Sequence, residues 1–111
     1  MPRPEKSPAI YILASRRNGT LYIGVTSDLI DRISIHKQDL VAGFTKRYGV
    51  HLLVHNEYFD TMDEAIRREK QLKKWLRRDK VALIEHSNPN WHDLYTDVYG
   101  LIDPKSIPKL I

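Results

Sequence analysis

Apolar positions along this chain fall first into short runs and only later into helical spacing. Residues 9–15 are rich in Ile, Leu and Tyr and predict a strand, and residues 20–25 predict its partner. Between them lies Arg17-Asn18-Gly19-Thr20, in which Asn-Gly is the strongest local signal for a tight hairpin. Thr26-Ser27-Asp28 then offers N-capping oxygens. From Leu29 to about Leu40 the spacing becomes helical, with Leu29, Ile33 and Leu40 on one stripe. Residues 41–49, punctuated by Gly43 and Gly49, predict a loop, and residues 50–59 a third strand. Thr61-Met62-Asp63-Glu64 is a capping box that opens a long helix, from about Met62 to Leu76. A shorter helix near Asp79–His86 should stop at Asn88, because Pro89 pushes the residue before it out of the helical region. The order strand, strand, helix, strand, helix, helix predicts an α/β (α+β) domain with a small sheet and helices packed on it. The first two strands should be antiparallel; how the third joins is left open.

At 111 residues the chain has room for one domain, with a short flexible N-terminus over residues 1–7. It has no cysteine, which excludes disulfide stapling and thiolate metal sites and fits a reducing cytoplasm. No apolar run predicts a signal peptide or a membrane span.

Charge changes the picture by its placement. The formal balance is only +4. Yet Arg67, Arg68, Lys70, Lys73, Lys74, Arg77, Arg78 and Lys80 crowd one stretch, against Glu69 and Asp79. Such a cluster predicts contact with phosphates, or else a solvated helix face. Lys46 and Arg47 in the preceding loop are further candidates for phosphate contact.

On a wheel of about 100° per residue, Met62, Ala65, Ile66, Leu72 and Leu76 form an apolar stripe with Glu69 near its middle. A carboxylate there must be protonated, paired or bound to a metal, since burying it bare is costly. A structural ion pair with a nearby arginine is the plainer alternative. The hairpin can bring Tyr11 and Tyr22 to one face, and Arg32 and His36 project one helical turn apart. Together these residue types suit phosphodiester hydrolysis. A hard oxygen can hold Mg²⁺, a guanidinium can balance charge on phosphate oxygens, and a phenol or imidazole can take a proton from water. A free phenol, with a pKa of about 10, is a poor base; Arg32 and a metal nearby should lower it.

Two tripeptides, Ala9-Ile10-Tyr11 and Tyr22-Ile23-Gly24, followed in order by Arg32, His36, Glu69 and Asn88, resemble the GIY-YIG nuclease superfamily. The likeness spans residues 8–92, leaving 93–111 as a C-terminal extension. It is nearest the short stand-alone bacterial members related to the nuclease domain of the excision-repair endonuclease. The resemblance implies a three-stranded antiparallel sheet flanked by helices and a one-metal DNA endonuclease, with RNA left open as a substrate. It implies that Glu69 holds one Mg²⁺ or Mn²⁺ and that Arg32 stabilises the transition state. Tyr11 would be the general base or position the water, and His36 would assist proton transfer or orient Tyr11. Tyr22 would bond the phosphate or the water network, with Gly24 and Asn88 in support. A homodimer or larger assembly would let one site per chain cut two strands. Ala9 stands where the family has its first glycine, and Val25 where some relatives carry lysine. The competing functions are a nucleic-acid-binding module without catalysis and an interaction subunit that keeps the nuclease fold.

Overall fold

The computed structural model describes residues 6–38 and 43–95. Its elements run β1 (Ala9–Ala14), β2 (Leu21–Thr26), α1 (Leu29–Lys37), α2 (Phe44–Tyr48), β3 (Leu52–Tyr58), α3 (Met62–Lys73) and α4 (Arg77–Ser87). The strands form one sheet in the order β2-β1-β3, antiparallel throughout. The third strand therefore joins on the far side of β1, which makes β1 central.

That position explains why β1 reads as a continuous apolar run. Each of its six residues is buried, because helices cover both faces of the sheet. Ile10, Ile12 and Ala14 face one core with Ala65, Leu72, Ile84 and Trp91, on the side of α3 and α4. Ala9, Tyr11 and Leu13 face the other, with Leu29 and Ile33 of α1. Tyr11 and Tyr22 lie on that second face, with ring centroids 6.3 Å apart.

The hairpin loop is wider than a two-residue turn. Ser15 and Thr20 still pair, and Gly19 N–H donates to Arg16 C=O at 2.8 Å, with Asn18 taking the positive φ of 59°. Arg77 Nη2 donates to Asn18 and Gly19 carbonyls at 2.9 and 2.6 Å and clamps the loop. The capping box is present in full: Thr61 Oγ1 accepts from Glu64 N–H while Glu64 accepts from Thr61 N–H.

Three expectations are corrected. The stretch 43–49 is not all loop; it holds the short helix α2, closed by Gly49 in the left-handed region at φ 63°. Five residues are too few for a hydrophobic period to show. Helix α3 stops at Lys73, so Leu76 leaves the apolar stripe, caps α4 and is 58% exposed. Finally, α1 ends at Lys37, and Leu40 lies outside the described residues. The packed chain continues past residue 92: Leu94 N–H donates to Leu53 C=O at 2.7 Å, and Lys37 pairs with Asp93.

Glu57 on β3 anchors α3 to the sheet. Arg68 grips it with Nε at 2.9 Å and Nη2 at 3.1 Å, and His55 Nε2 approaches it at 2.8 Å. Burial alone would raise this carboxyl; the bonds from His55 and Arg68 outweigh it and bring the pKa down to about 2. The folded value lies below the ordinary 4.5, so the stabilisation is present above that pH and is lost on the way down to about 2. Glu57→Gln should therefore cost on the order of 2 kcal/mol at neutral pH, with the gap to wild type closing between those two pH values. Urea titrations at pH 7 and pH 3 check it; a gap independent of pH would count against the account.

Candidate active site

Tyr11 points from the central strand across its neighbour. In the β1–β2 register Tyr11 faces Gly24, and a Cβ built on Gly24 would sit 2.3 Å from Tyr11 Cζ and its hydroxyl oxygen. The missing side chain at Gly24 is thus the space through which the phenol crosses the edge strand. Its φ is not positive, so the glycine is needed for room and not for backbone freedom. Ala9, by contrast, pairs normally with Thr26 and Tyr58, and its methyl is absorbed in the core.

At the end of that path Tyr11 meets His36. The hydroxyl lies 3.1 Å from Nε2, and the other ring nitrogen, Nδ1, lies 3.0 Å from Thr45 Oγ1. Both bonds are buried. Asp28 positions His36 from a distance by capping α1, accepting from Asp31 N–H at 3.2 Å. Thr45 comes from α2 and was not among the residues singled out from the sequence. A threonine beside Lys46 and Arg47 in a segment flanked by Gly43 and Gly49 is the one signal the sequence offers.

Tyr22 completes the cluster, with its ring 5.6 Å from His36 and 5.9 Å from Phe44. Arg32 is half-buried one turn before His36, and among the described residues no carboxylate lies within ion-pair distance of it. It does not pair with Asp28 or Asp31. Its charge acts on both Tyr11 and His36.

Electrostatics without a metal runs against Arg32 alone lowering the phenol. Burial pushes the Tyr11 phenol well above its usual value, Tyr22 and Glu69 add to the rise, and Arg32 opposes it without winning. In the metal-free protein Tyr11 is therefore a protonated phenol. His36 moves the other way: burial first, then the charges of Arg32 and His51, push it below the ordinary 6.5. It stands as a neutral imidazole at neutral pH.

Glu69 sits on α3 with its side chain 14% exposed, paired to Lys73 Nζ at 2.8 Å. The partner is a lysine one turn on, not an arginine. That lysine, with Leu21, Tyr22, Ile23, Phe44 and Lys80, lines a cleft of about 270 Å³. Residues of β2, α2, α3 and α4 meet there, so the cleft follows the outer edge of β2 and joins the two faces of the sheet. Of the predicted catalytic and metal-binding residues Tyr22 lines this cleft; Tyr11 and His36 pack against its ring, and Arg32 and Glu69 lie near enough for their charges to act on Tyr11.

Some other predicted residues serve elsewhere. Asn88 spends its side chain on structure: Nδ2 donates to Val54 and His92 carbonyls at 3.1 and 2.9 Å, and Oδ1 accepts from His92 N–H at 3.0 Å. It closes α4 and ties it to β3, touching none of the cluster. The basic stretch also divides. Arg68 is committed to Glu57 and stacks on Trp75, and Arg77 to the hairpin loop, so neither is free for phosphate. Lys73 faces Glu69, and Arg78 lies 4.0 Å from Asp79. Arg67 and Lys70 are exposed on α3, Lys74 at its C-cap, and Lys46 and Arg47 on α2. Phe44 and Tyr48, 45% and 49% exposed, stand beside that second pair with ring centroids 4.8 Å apart.

No helix among the described residues is long and apolar enough to cross a membrane. A family model described as the GIY-YIG catalytic domain matches residues 7–82. A UPF0213 protein of Staphylococcus saprophyticus is 39% identical over 75 residues, covering 68% of this chain and 90% of its own length. A UPF0213 protein of Staphylococcus haemolyticus is 36% identical over 76 residues, covering 68% and 92%. The solution NMR structure of the UPF0213 protein from Bacillus halodurans matches with a TM-score of 0.50 at 30% identity, over 78% of this chain and 92% of that one. With the paired tyrosines, the glycine beneath them and the cleft at the sheet edge, these matches establish that the chain belongs to the GIY-YIG family.

Proposed function

We propose that this chain is a divalent-metal-dependent endonuclease that hydrolyses DNA phosphodiester bonds with one ion per site. The observation that carries the reading is the passage of Tyr11 over Gly24 to His36, beside Arg32 and Glu69.

The donor set fits the ion. Glu69 offers one hard carboxylate that already holds a cation, the Lys73 ammonium. Among the described residues no group of three or more His, Asp or Glu gathers to enclose a metal. A single carboxylate, with water and substrate phosphate as further ligands, suits Mg²⁺ or Mn²⁺. Bound there, the ion would supply charge stabilisation to the scissile phosphate.

The remaining chemistry belongs to the side chains. Tyr11, protonated in the metal-free site, acts by relay: as water attacks phosphorus and the bond to the leaving sugar oxygen breaks, the Tyr11 oxygen takes the water's proton, its own passes to His36 Nε2, and the leaving oxygen takes a proton from solvent. His36 can accept because it is neutral, and Thr45 holds the opposite ring nitrogen. Arg32, without a carboxylate partner among the described residues, is available to the charge that gathers on the phosphate oxygens. Tyr22 offers its hydroxyl to the phosphate or to the attacking water. Lys46 and Arg47 on α2 hold the strand near the cleft, while Arg67, Lys70, Lys74 and Arg78 contribute a longer-range field. Phosphate recognition of this kind extends to RNA; DNA is preferred on the family resemblance. The same resemblance points to repair or processing as the setting, and the cysteine-free composition fits a reducing cytoplasm.

Supercoiled plasmid incubated with the purified chain and Mg²⁺ or Mn²⁺ tests the proposal. Nicking is expected, with a rate that holds from about pH 8 to 6.5 and falls only at lower pH, where His36 charges and cannot accept a proton. An acid limb above 6.5 would remove His36 from the relay. Salt-sensitive DNA binding with no cutting under either metal would favour the non-catalytic module instead.

A further inference from the structure

Lys73 stands in two places at once. Its ammonium donates to Glu69 Oε2 at 2.8 Å, and the residue lines the cleft with Tyr22, Phe44 and Lys80. The two partners differ in exposure, 14% for the carboxylate and 54% for the lysine. A carboxylate so covered needs a counter-charge. The lysine supplies it from the solvent side, through a pair four residues apart on one helix, an arrangement that contributes little to stability and gives way easily. A divalent cation on the same oxygen would lie against the ammonium, and like charges at that distance repel. The lysine is a flexible point charge and not a bidentate fork, so nothing fixes it in place. The cleft, where Lys80 already waits, is the near alternative position.

We propose that Lys73 is a displaceable counter-ion that couples metal binding to substrate binding. It neutralises Glu69 while no divalent ion is held, yields the carboxylate when one arrives, and then contacts the phosphate backbone in the cleft. The proposal rests on the endonuclease reading and adds to it an order of events. Metal frees a cation for the substrate, and the substrate, by holding that cation, raises affinity for the metal, as linkage requires.

The test measures Mn²⁺ affinity by calorimetry on the full chain, with and without a short DNA strand, in a Tyr11→Phe background so that the DNA survives. Adding Lys73→Met should tighten Mn²⁺ binding about two- to five-fold in the absence of DNA, because the competing ammonium is gone. It should also remove most of the gain in Mn²⁺ affinity that DNA produces. Lys73→Arg should keep both behaviours in part. Unchanged or weaker Mn²⁺ binding by Lys73→Met, or a DNA-induced gain that survives intact, overturns the proposal. Glu69→Gln separates the two levels. If it abolishes Mn²⁺ binding while Lys73→Met changes nothing, only the counter-ion role fails. If Mn²⁺ binds equally well without Glu69, the metal site itself is wrong and both fall.

Discussion

Glu69→Gln is expected to slow plasmid cleavage by about a thousand-fold while leaving fold and salt-dependent DNA binding in place. The substitution keeps the shape of the side chain and an oxygen that can accept from Lys73, and removes the one negative charge offered to a metal. Stability should change by less than about 1 kcal/mol, since the lost ion pair is an i,i+4 pair whose lysine is largely in water. The separation of the two effects is the informative part. A variant that unfolds would place Glu69 in the architecture. A folded variant that cuts at the wild-type rate would trace the cleavage to a contaminant or move the metal elsewhere. Matched thermal unfolding and nicking assays on one preparation decide among these outcomes.

Gly24→Ala should damage stability and activity together. The added methyl would arrive 2.3 Å from Tyr11 Cζ and from its hydroxyl oxygen, far inside contact distance. The obstacle is not a loose side-chain tip. Tyr11 is 2% exposed, packed against the α1 face and bonded to His36, so ring or strand must shift. Overpacking of this kind costs roughly 1–3 kcal/mol. Displacing the phenol by about 1 Å should slow cleavage about a hundred-fold. The second substitution Tyr11→Leu, which removes the colliding atoms, should recover much of the stability in the Gly24→Ala background and none of the activity. A Gly24→Ala protein with wild-type melting and wild-type nicking would show that the phenol does not need this path.

The role of Gly24 illustrates how local and distant information divide in this protein. The second tripeptide is plain in the chain, but it does not say what the glycine accommodates. That depends on Tyr11 lying opposite in the register, a fact of strand pairing. Glu69 is similar. Helical periodicity showed an acid on an apolar stripe; only the packed structure shows it partly covered, 14% exposed, and paired with a lysine that lines the cleft. The direction of the Tyr11 shift could not be foreseen, because it depends on how far burial outweighs Arg32. Arg68 and Arg77 look like their basic neighbours in sequence. Only distant partners, Glu57 and the hairpin carbonyls, remove them from the phosphate-binding set.

What the chain determined alone is local: the place of the hairpin near Asn18-Gly19 though not its width, the capping box at Thr61, the break at Asn88-Pro89, and the spacing that sets Arg32 one turn before His36. Each depends on backbone preferences over a few residues, and these are written in the residues themselves. Tertiary structure alone decided that β3 pairs with β1 and makes it central, that Thr45 of a five-residue helix docks on His36, and that a lysine occupies the carboxylate at the cleft. Those contacts join residues far apart in the chain or on different elements, and their energies depend on burial and on which charges are near.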